Sequence, residues 1–308
     1  MRERSVLLPM GLAAIAHVFL SLLRPGDHVL LGETVYGPAR AIALNFLGPR
    51  GIACEFYPGG REEVAKRLRP STRLVYLDNP GSIVYDIQDV PALAWLLKGR
   101  DTLLAVDNTW GCPRPLSPAG ARGGSFGGCD HQVCRRSFRS RHGGGGGGPR
   151  CADQLWRDAT LLGQTVSPDE AYNALKGLRS AAARLAMHTA HAAEVVAWLK
   201  QQPQVKRILY PPLPEDPGHA LWRRDFKGAN GLLSIEFAPP IAPAAADRFV
   251  DSLRLFGIVA SWGLRKPGAP YPVIPGWHGG ALVRLHIGLE DPADLIANLA
   301  QGFRAALA

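Results

Sequence analysis

Short apolar runs alternate with helical patterns through the first third of the chain. Apolar residues recur at helical spacing in four stretches, residues 11–23, 38–46, 62–68 and 90–97. Four short apolar runs that we interpret as buried strands lie between and after them, at residues 28–31, 52–57, 74–77 and 102–106. Because parallel strands need crossover connections, this alternation predicts an α/β fold with a mostly parallel central sheet sandwiched by helices. Ligands in such folds bind at the carboxyl ends of strands, where Asp107 falls.

The rest of the chain predicts a smaller second unit. Ser167 to Glu170 form a helix-start pattern, with proline at the first helical position and acids in the first turn. A long helix is predicted over residues 180–201, and the proline-rich stretch 210–217 marks a boundary. The strands and helices predicted beyond it cover residues 231–237, 244–253, 258–262, 282–287 and 291–307. We therefore predict a large domain over residues 1–200 and a small C-terminal α/β domain over residues 201–308.

The N-terminal region imitates a signal peptide or a short membrane span, because two arginines precede the apolar run 6–23. Pro9, Gly11 and His17 interrupt this run, and no small-x-small cleavage site follows it. We interpret residues 11–23 as a buried helix, with a secretory signal as the alternative, and expect no membrane segment. The five cysteines are an odd set rather than a disulfide framework, so reduced thiols in the cytoplasm are expected.

Much of the net charge of +9 lies in one segment. Six arginines and one acid occur between residues 119 and 150, so this stretch contributes five of the nine excess charges. The rest of the chain is nearly balanced, and no nucleic-acid partner is expected for it. Some residues of the segment resemble metal ligands, but their irregular spacing and the lack of a C-x₂-C pair argue against a metal site; these are Cys129, His131, Cys134 and His142.

Six short motifs occur in a fixed order along the chain. They are Leu-Pro-Met-Gly-Leu-Ala-Ala-Ile at residues 8–15, Val-Tyr-Gly-Pro at 35–38, Asn-Pro-Gly-Ser at 79–82, Val-Asp-Asn-Thr-Trp at 106–110, Ser-Trp-Gly at 261–263 and Arg-Leu-His-Ile-Gly-Leu-Glu-Asp at 284–291. In this order and spacing the chain resembles the Cys/Met-metabolism enzymes that depend on pyridoxal 5'-phosphate (PLP), and most closely their cystathionine β-lyase branch. Each motif is weak alone, but together they cover nearly the whole chain except one segment.

The resemblance implies a PLP-dependent transferase type I fold and a carbon–sulfur lyase of methionine biosynthesis. Such an enzyme cleaves cystathionine, an amino-acid substrate, to homocysteine, pyruvate and ammonia. The resemblance also implies a cytoplasmic homotetramer. Family members carry an additional N-terminal segment that reaches the phosphate of a neighbouring subunit, and Met1 here opens almost directly on the predicted phosphate-binding helix. Without this segment, weakened tetramer assembly is expected.

The resemblance assigns five residues to the cofactor. Asp107 would keep the pyridine nitrogen protonated, as an electron sink requires, and Thr109 belongs to the same motif. Gly11 and Leu12 would begin a helix whose N–H groups hold the phosphate, and Tyr36 would stack on the ring. Each assignment has a plainer alternative: a turn aspartate, a simple loop-to-helix junction and a buried core tyrosine.

Two further residues are assigned to the substrate. Arg284 would bind the α-carboxylate through a bidentate guanidinium contact, and the backbone near Ser261 would assist it. A surface arginine is the alternative for Arg284, because the alternation over residues 283–285 leaves its face of the strand open.

The lysine that forms the Schiff base with PLP in this family is missing from the chain. It is expected near Gln132, in a stretch similar to Thr-Lys-Tyr-x-Gly-Gly-His-Ser-Asp, yet no lysine occurs between Lys98 and Lys176. No catalytic residue is therefore assigned, and the chain as written is expected to be inactive.

The neighbouring reading frame can encode the missing motif. Codons permitted for His131 and Gln132, CAC-CAA followed by G, read one base later as ACC-AAG, which encodes Thr-Lys. With permitted third bases, residues 133–139 then become Tyr-Val-Gly-Gly-His-Ser-Asp in the shifted frame. We interpret residues 118–150 as an aberrant Gly/Arg-rich segment made by two compensating frameshifts, and predict a disordered loop there.

Three hypotheses follow from the sequence. The chain is a defective or misread copy of a cystathionine β-lyase, it descends from a sister γ-synthase or γ-lyase, or it is a non-catalytic remnant. In the third case the Arg/Gly tract could bind nucleic acid, because RNA-binding tracts have a similar composition.

Overall fold

A computed structural model describes residues 4–111, 124–127, 137–140, 149–239, 241, 243–258 and 276–307. The chain divides into two compact units. The first comprises Met1–Ser82, Asp86–Ala181 and Ala220–Lys227, and the second comprises Ile83–Tyr85, Ala182–His219 and Gly228–Ala308. The predicted domains, residues 1–200 and 201–308, stay a prediction of how the chain is organised.

A seven-stranded sheet forms the centre of the first unit within the described residues. Its strands are β1 (Arg4–Leu7), β2 (His28–Gly32), β3 (Ala53–Tyr57), β4 (Thr72–Asp78), β5 (Leu103–Asp107), β6 (Gly124–Gly127) and β7 (Ser137–Ser140). They lie in the order β1-β7-β6-β5-β4-β2-β3. Neighbours from β6 to β3 pair in parallel, whereas β7 is antiparallel to both β6 and β1. The predicted α/β fold with a mostly parallel central sheet is confirmed.

Within the described residues, seven helices accompany these strands, and those that lie between the parallel strands form the crossover connections that parallel pairing requires. The seven helices are α1 (Gly11–Leu22), α2 (Gly37–Ile42), α3 (Arg61–Arg67), α4 (Val90–Leu96), α5 (Pro149–Leu161), the long α6 (Pro168–Leu199), which continues into the second unit, and α7 (His219–Asp225). A π-helical turn (Ala43–Leu47) and a 3-10 turn (Gly48–Arg50) prolong α2. Among the helices in the described ranges, none is long and apolar enough to cross a membrane.

Alternate residues of the central strands enter two different cores. Leu31 and Tyr76 pack with side chains of α1, α2 and α5 on one face. Leu30 and Val75 pack with side chains of α3 and α4 on the other face. Successive side chains of a strand point to opposite faces, so both faces of the sheet are covered by helices. This double burial explains why the strands read as continuous apolar runs in the sequence.

Helix α6 begins with a capping box. The Glu170 N–H lies 3.2 Å from Ser167 Oγ, and the Ser167 N–H donates to Glu170 Oε2 at 3.1 Å. These contacts satisfy two of the N–H groups that a helix start leaves without partners, so the predicted start is confirmed. The predicted separate helix over residues 180–201 is wrong in its beginning, since one helix runs from Pro168 to Leu199.

Part of the Gly/Arg-rich segment joins the sheet. Strand β6 pairs in parallel with β5, and β7 closes on β6 and β1. The prediction of a disordered loop is therefore wrong for Gly124–Gly127 and Ser137–Ser140. Strand ladders are built from backbone N–H and C=O groups, so a sheet edge can be extended by residues whose side chains carry no strand pattern.

The second unit contains a three-stranded antiparallel sheet within the described residues. Strands β8 (Val205–Leu209), β9 (Leu232–Phe237) and β10 (Leu282–His286) lie in the order β10-β9-β8. Helices α8 (Pro243–Ser252) and α9 (Pro292–Leu307) complete the α/β unit with the second part of α6. Three aromatic rings form its core, with centroids 4.9–6.1 Å apart, those of Phe237, Phe249 and Phe303. Most of the predicted strand 258–262 lies outside the described residues.

Replacing Gly231 by alanine should destabilise the second unit. The Ile287 N–H donates to the Gly231 carbonyl at 2.7 Å, and a Cβ at position 231 would lie only 1.7 Å from the Ile287 carbonyl oxygen. We expect Gly231→Ala to lower the free energy of unfolding by about 3 kcal/mol because backbone must move to relieve this overlap. Gly228→Ala is the control, since a Cβ there meets nothing within 4 Å. Equal urea midpoints for the two variants would contradict this packing.

Acid should destabilise the second unit through His188. Burial, followed by the charge of His286, lowers the pKa of His188 from 6.5 to about 4, with His191 and Arg184 acting in the same direction and Glu290 opposing. The unfolded chain therefore binds this proton first, so stability is retained above pH 6.5 and falls as the pH drops towards 4. Thermal unfolding of His188→Gln should show a smaller loss over this interval, while exposed His278→Gln should follow the unmodified protein.

Candidate functional site

Two buried aspartates stand at the carboxyl ends of neighbouring parallel strands. Asp78 ends β4 and Asp107 ends β5, and the two residues are direct partners in the strand register. Their exposed fractions are 7% and 8%. Since ligands of open α/β sheets bind beyond this edge, the pair marks the candidate site of the first unit.

Asp107 is held by the residues that follow its strand. The Thr109 N–H donates to Asp107 Oδ1 at 2.9 Å, and the Thr109 hydroxyl donates to the same oxygen. Donors to a carboxylate favour its ionised form. The plainer interpretation, a turn aspartate, describes this local geometry, and a buried carboxylate fixed in orientation can also receive a cationic ligand group.

Tyr36 is tied to Asp78. Its backbone N–H donates to Asp78 Oδ2 at 2.9 Å, and its own carbonyl accepts from Ala39 and Arg40 at the start of α2. The side chain is partly buried and packs against the core on the α1 side of the sheet. The Tyr36 backbone is therefore held on one side by the Asp78 carboxylate and on the other by the first turn of α2.

Gly11 and Leu12 form the first turn of α1. The preceding residue, Met10, makes no side-chain cap, and no acid lies in the first turn. A helix start leaves N–H groups without helical partners, and the helix dipole adds positive potential there. This turn can accept an anion such as a phosphate group.

Burial strongly perturbs Asp78. Loss of water contact, followed by the negative charge of Asp107, raises the pKa of Asp78 well above its usual range. Asp86 adds to the rise, whereas the Tyr36 N–H and the Tyr76 side chain oppose it. Strongly perturbed carboxyl groups at a strand edge are typical of functional sites.

The sequence motifs did not indicate Asp78 as a site residue. The available signal was the same as for Asp107, an aspartate directly after a buried strand, here followed by Asn79 and Pro80. The register supplies what the sequence could not, because it places the ends of β4 and β5 side by side.

Arg284 lies in the second unit, on β10 opposite Ser234 of β9. It is 5% exposed, so the alternative of a surface arginine is wrong. Burial raises the pKa of the Tyr85 hydroxyl, and the charge of Arg284 opposes that rise. A buried guanidinium in this unit could bind a carboxylate.

Ser261 and Gln132, where the lysine is expected, both lie outside the described residues. Within the described ranges, no group of three or more metal-ligating side chains occurs.

The described residues fit the non-covalent needs of a pyridoxal phosphate. A fixed, buried carboxylate suits a protonated pyridine nitrogen, and the uncapped start of α1 suits a phosphate. The sequence does not provide the covalent anchor at the expected place, since no lysine occurs between Lys98 and Lys176.

Comparison with known proteins gives consistent results. A family model described as Cys/Met metabolism PLP-dependent enzyme matches residues 2–120 and 146–275. The chain is 42% identical to a cystathionine beta-lyase of Bordetella avium, over 94% of this chain and 75% of that protein. It is 33% identical to cystathionine beta-lyase MetC of Escherichia coli K12, over 97% of this chain and 79% of the relative.

A solved structure agrees in fold. The crystal structure of metB from Corynebacterium glutamicum superposes with a TM-score of 0.85 at 26% sequence identity, covering 98% of this chain and 80% of that chain. The family match spans well over half of the residues, and the sheet and both units have counterparts in a solved relative's fold. The chain therefore belongs to the Cys/Met metabolism PLP-dependent enzyme family.

Proposed function

We propose that this chain derives from a cystathionine β-lyase, a PLP-dependent enzyme that cleaves the carbon–sulfur bond of cystathionine to homocysteine, pyruvate and ammonia. The observation that carries the proposal is the buried Asp107 at the end of β5, fixed by Thr109, in a chain 42% identical to a cystathionine beta-lyase. Bound PLP supplies an electron sink for such a cleavage.

Each site residue has a proposed role. Asp107 would bind the pyridine nitrogen, and Thr109 would keep its carboxylate in place. The amides of Gly11 and Leu12 would hold the phosphate, and Tyr36 would lie against the ring. In the second unit, Arg284 and the backbone near Ser261 would bind the substrate carboxylate.

The missing lysine limits what the chain can do. In this family a lysine both anchors the cofactor and moves the substrate's Cα proton. The sequence has no lysine between Lys98 and Lys176 to perform these roles. We propose that frameshifts at both ends of residues 118–150 removed it. The family match supports this proposal, because it is interrupted between residues 120 and 146, within the same segment.

Assembly and location are proposed on separate grounds. Large apolar side chains are exposed at the end of α5 and the start of α6, including Leu161 at 82% and Tyr172 at 65%. Exposed apolar patches are typical of protein interfaces, which supports the family's homotetramer. Cys54 and Cys151 are free thiols, which supports a reducing, cytoplasmic location.

The chain as written should not bind PLP covalently near position 132. After incubation with PLP and borohydride reduction, peptide mass spectrometry should find no PLP–lysine adduct between Lys98 and Lys176, because this stretch contains no lysine between its two ends. A chain with the frame restored should carry the adduct on the lysine at position 132 and show the absorbance band of lysine-bound PLP. The frame-restored chain with that lysine changed to alanine is the matched control. An active-site PLP–lysine adduct in the unmodified chain would overturn the proposal.

The product of the frame-restored chain separates the β-lyase from its sister enzymes. With cystathionine as substrate we expect pyruvate, because cleavage on the β side leaves a three-carbon product. Formation of 2-oxobutyrate instead would assign the chain to the γ-cleaving branch. Keto-acid products can be distinguished by chromatography after derivatisation.

A further inference from the structure

The buried Asp78 lies beside Asp107, and the proposed role of Asp107 does not account for a second carboxyl group there. Both side chains are buried at adjacent strand ends, and Asp86 contributes a third negative charge nearby. Two like charges brought together away from water strongly disfavour double ionisation. A proton on one of the two carboxyl groups at neutral pH would remove this repulsion, as it does in other paired buried carboxylates.

The hydrogen bonds decide which aspartate holds it. Asp107 Oδ1 accepts from both the amide and the hydroxyl of Thr109, and such donors stabilise a carboxylate. Asp78 Oδ2 accepts from the Tyr36 N–H, but its buried Oδ1 accepts no hydrogen bond of ordinary geometry within the described part of the chain. An ionised oxygen in that position would be costly, and a protonated one is not.

We propose that Asp78 is a positioning residue that stays a neutral carboxylic acid beside an ionised Asp107, so that the pair presents a single negative charge to the ligand. In this arrangement Oδ2 of Asp78 fixes the Tyr36 backbone at 2.9 Å, and the proton on Oδ1 relieves the repulsion from Asp107. The link to the pyridine nitrogen rests on the proposed function, whereas the protonation of Asp78 does not.

The groups around Asp78 agree with this assignment. Asp107 faces it from β5 and Asp86 from the segment after β4, and both favour the neutral form. Tyr76 of its own strand and the Tyr36 amide at the start of α2 oppose, but burial outweighs them. A neutral Asp78 lets Asp107 remain the anion that a cationic ring nitrogen would meet.

The sign of the pH dependence follows from the raised pKa. The unfolded chain releases the Asp78 proton near its ordinary value of 3.8, while the folded chain keeps it. The contribution of Asp78 to the free energy of unfolding is therefore fully present below about pH 4 and is lost as the pH rises towards the folded pKa. Asp78→Asn imitates the neutral acid and removes this loss. We expect its melting temperature to exceed that of the unmodified protein by an amount that grows by about 2 °C per pH unit between pH 5 and 7.

Two controls isolate the effect. Exposed Asp101→Asn should shift the melting temperature little and without this pH trend, since its ion pair with Arg73 lies at the surface. Infrared spectroscopy of the unmodified protein at pH 7 should show the carbonyl stretch of a protonated carboxylic acid, and Asp78→Asn should lack it. If Asp78→Asn destabilises the protein equally at every pH, or if that infrared band is absent from the unmodified protein, the proposal is overturned.

A ligand titration tests the connection to the site. Pyridoxine 5'-phosphate has no aldehyde, so its binding to the unmodified chain needs no lysine and can be measured by calorimetry. We expect Asp78→Asn to bind it within about twofold of the unmodified chain, and Asp107→Asn to bind at least about tenfold more weakly. Equal losses in the two variants would contradict a neutral Asp78. If the unmodified chain binds none of this probe, the proposed cofactor site fails, while the melting and infrared results still decide the protonation of Asp78.

Discussion

The carboxyl ends of β4 and β5 place two buried aspartates side by side, and the candidate site of the first unit depends on that pair. Helices cover both faces of the sheet, so the charges lie in a region that water hardly reaches. Thr109 fixes one carboxyl group, and the Tyr36 amide fixes the other. A ligand with a cationic ring would neutralise the negative charge of this aspartate pair. A phosphate on the same ligand would suit the uncapped start of α1, which belongs to the same unit.

The sequence predicted those parts of the fold that local patterns determine. Strands β2, β4 and β5 are almost entirely buried, so they appear as apolar runs in the sequence. Ser167 and Glu170 form the capping box that marks the start of α6. It did not predict β1 and β8, which are short and lack a continuous apolar run: Arg4 and Ser5 open β1, and Lys206 and Arg207 interrupt β8. These strands depend on pairing with distant partners, which a local pattern does not reveal.

The sequence predicted the chemistry of the candidate site but not that Asp78 lies beside Asp107. Asp107 and Tyr36 came from motifs, whereas Asp78 emerged only from the strand register. The Gly/Arg-rich segment was interpreted as a loop because its composition has no apolar alternation. Eight of its residues nevertheless form strands, with β6 paired to β5 and β7 paired to β6 and β1. Backbone hydrogen bonding at a sheet edge does not require the side chains that a sequence pattern needs.

Determining the nucleotide sequence of the gene across codons 112–151 tests most directly whether a PLP site has lost its covalent anchor through a frame change. The predicted result is a DNA sequence whose neighbouring frame reads ACC-AAG across the codons for His131 and Gln132 and continues as Tyr-x-Gly-Gly-His-Ser-Asp. Nucleotides that cannot encode Thr-Lys in that frame at these codons would contradict it.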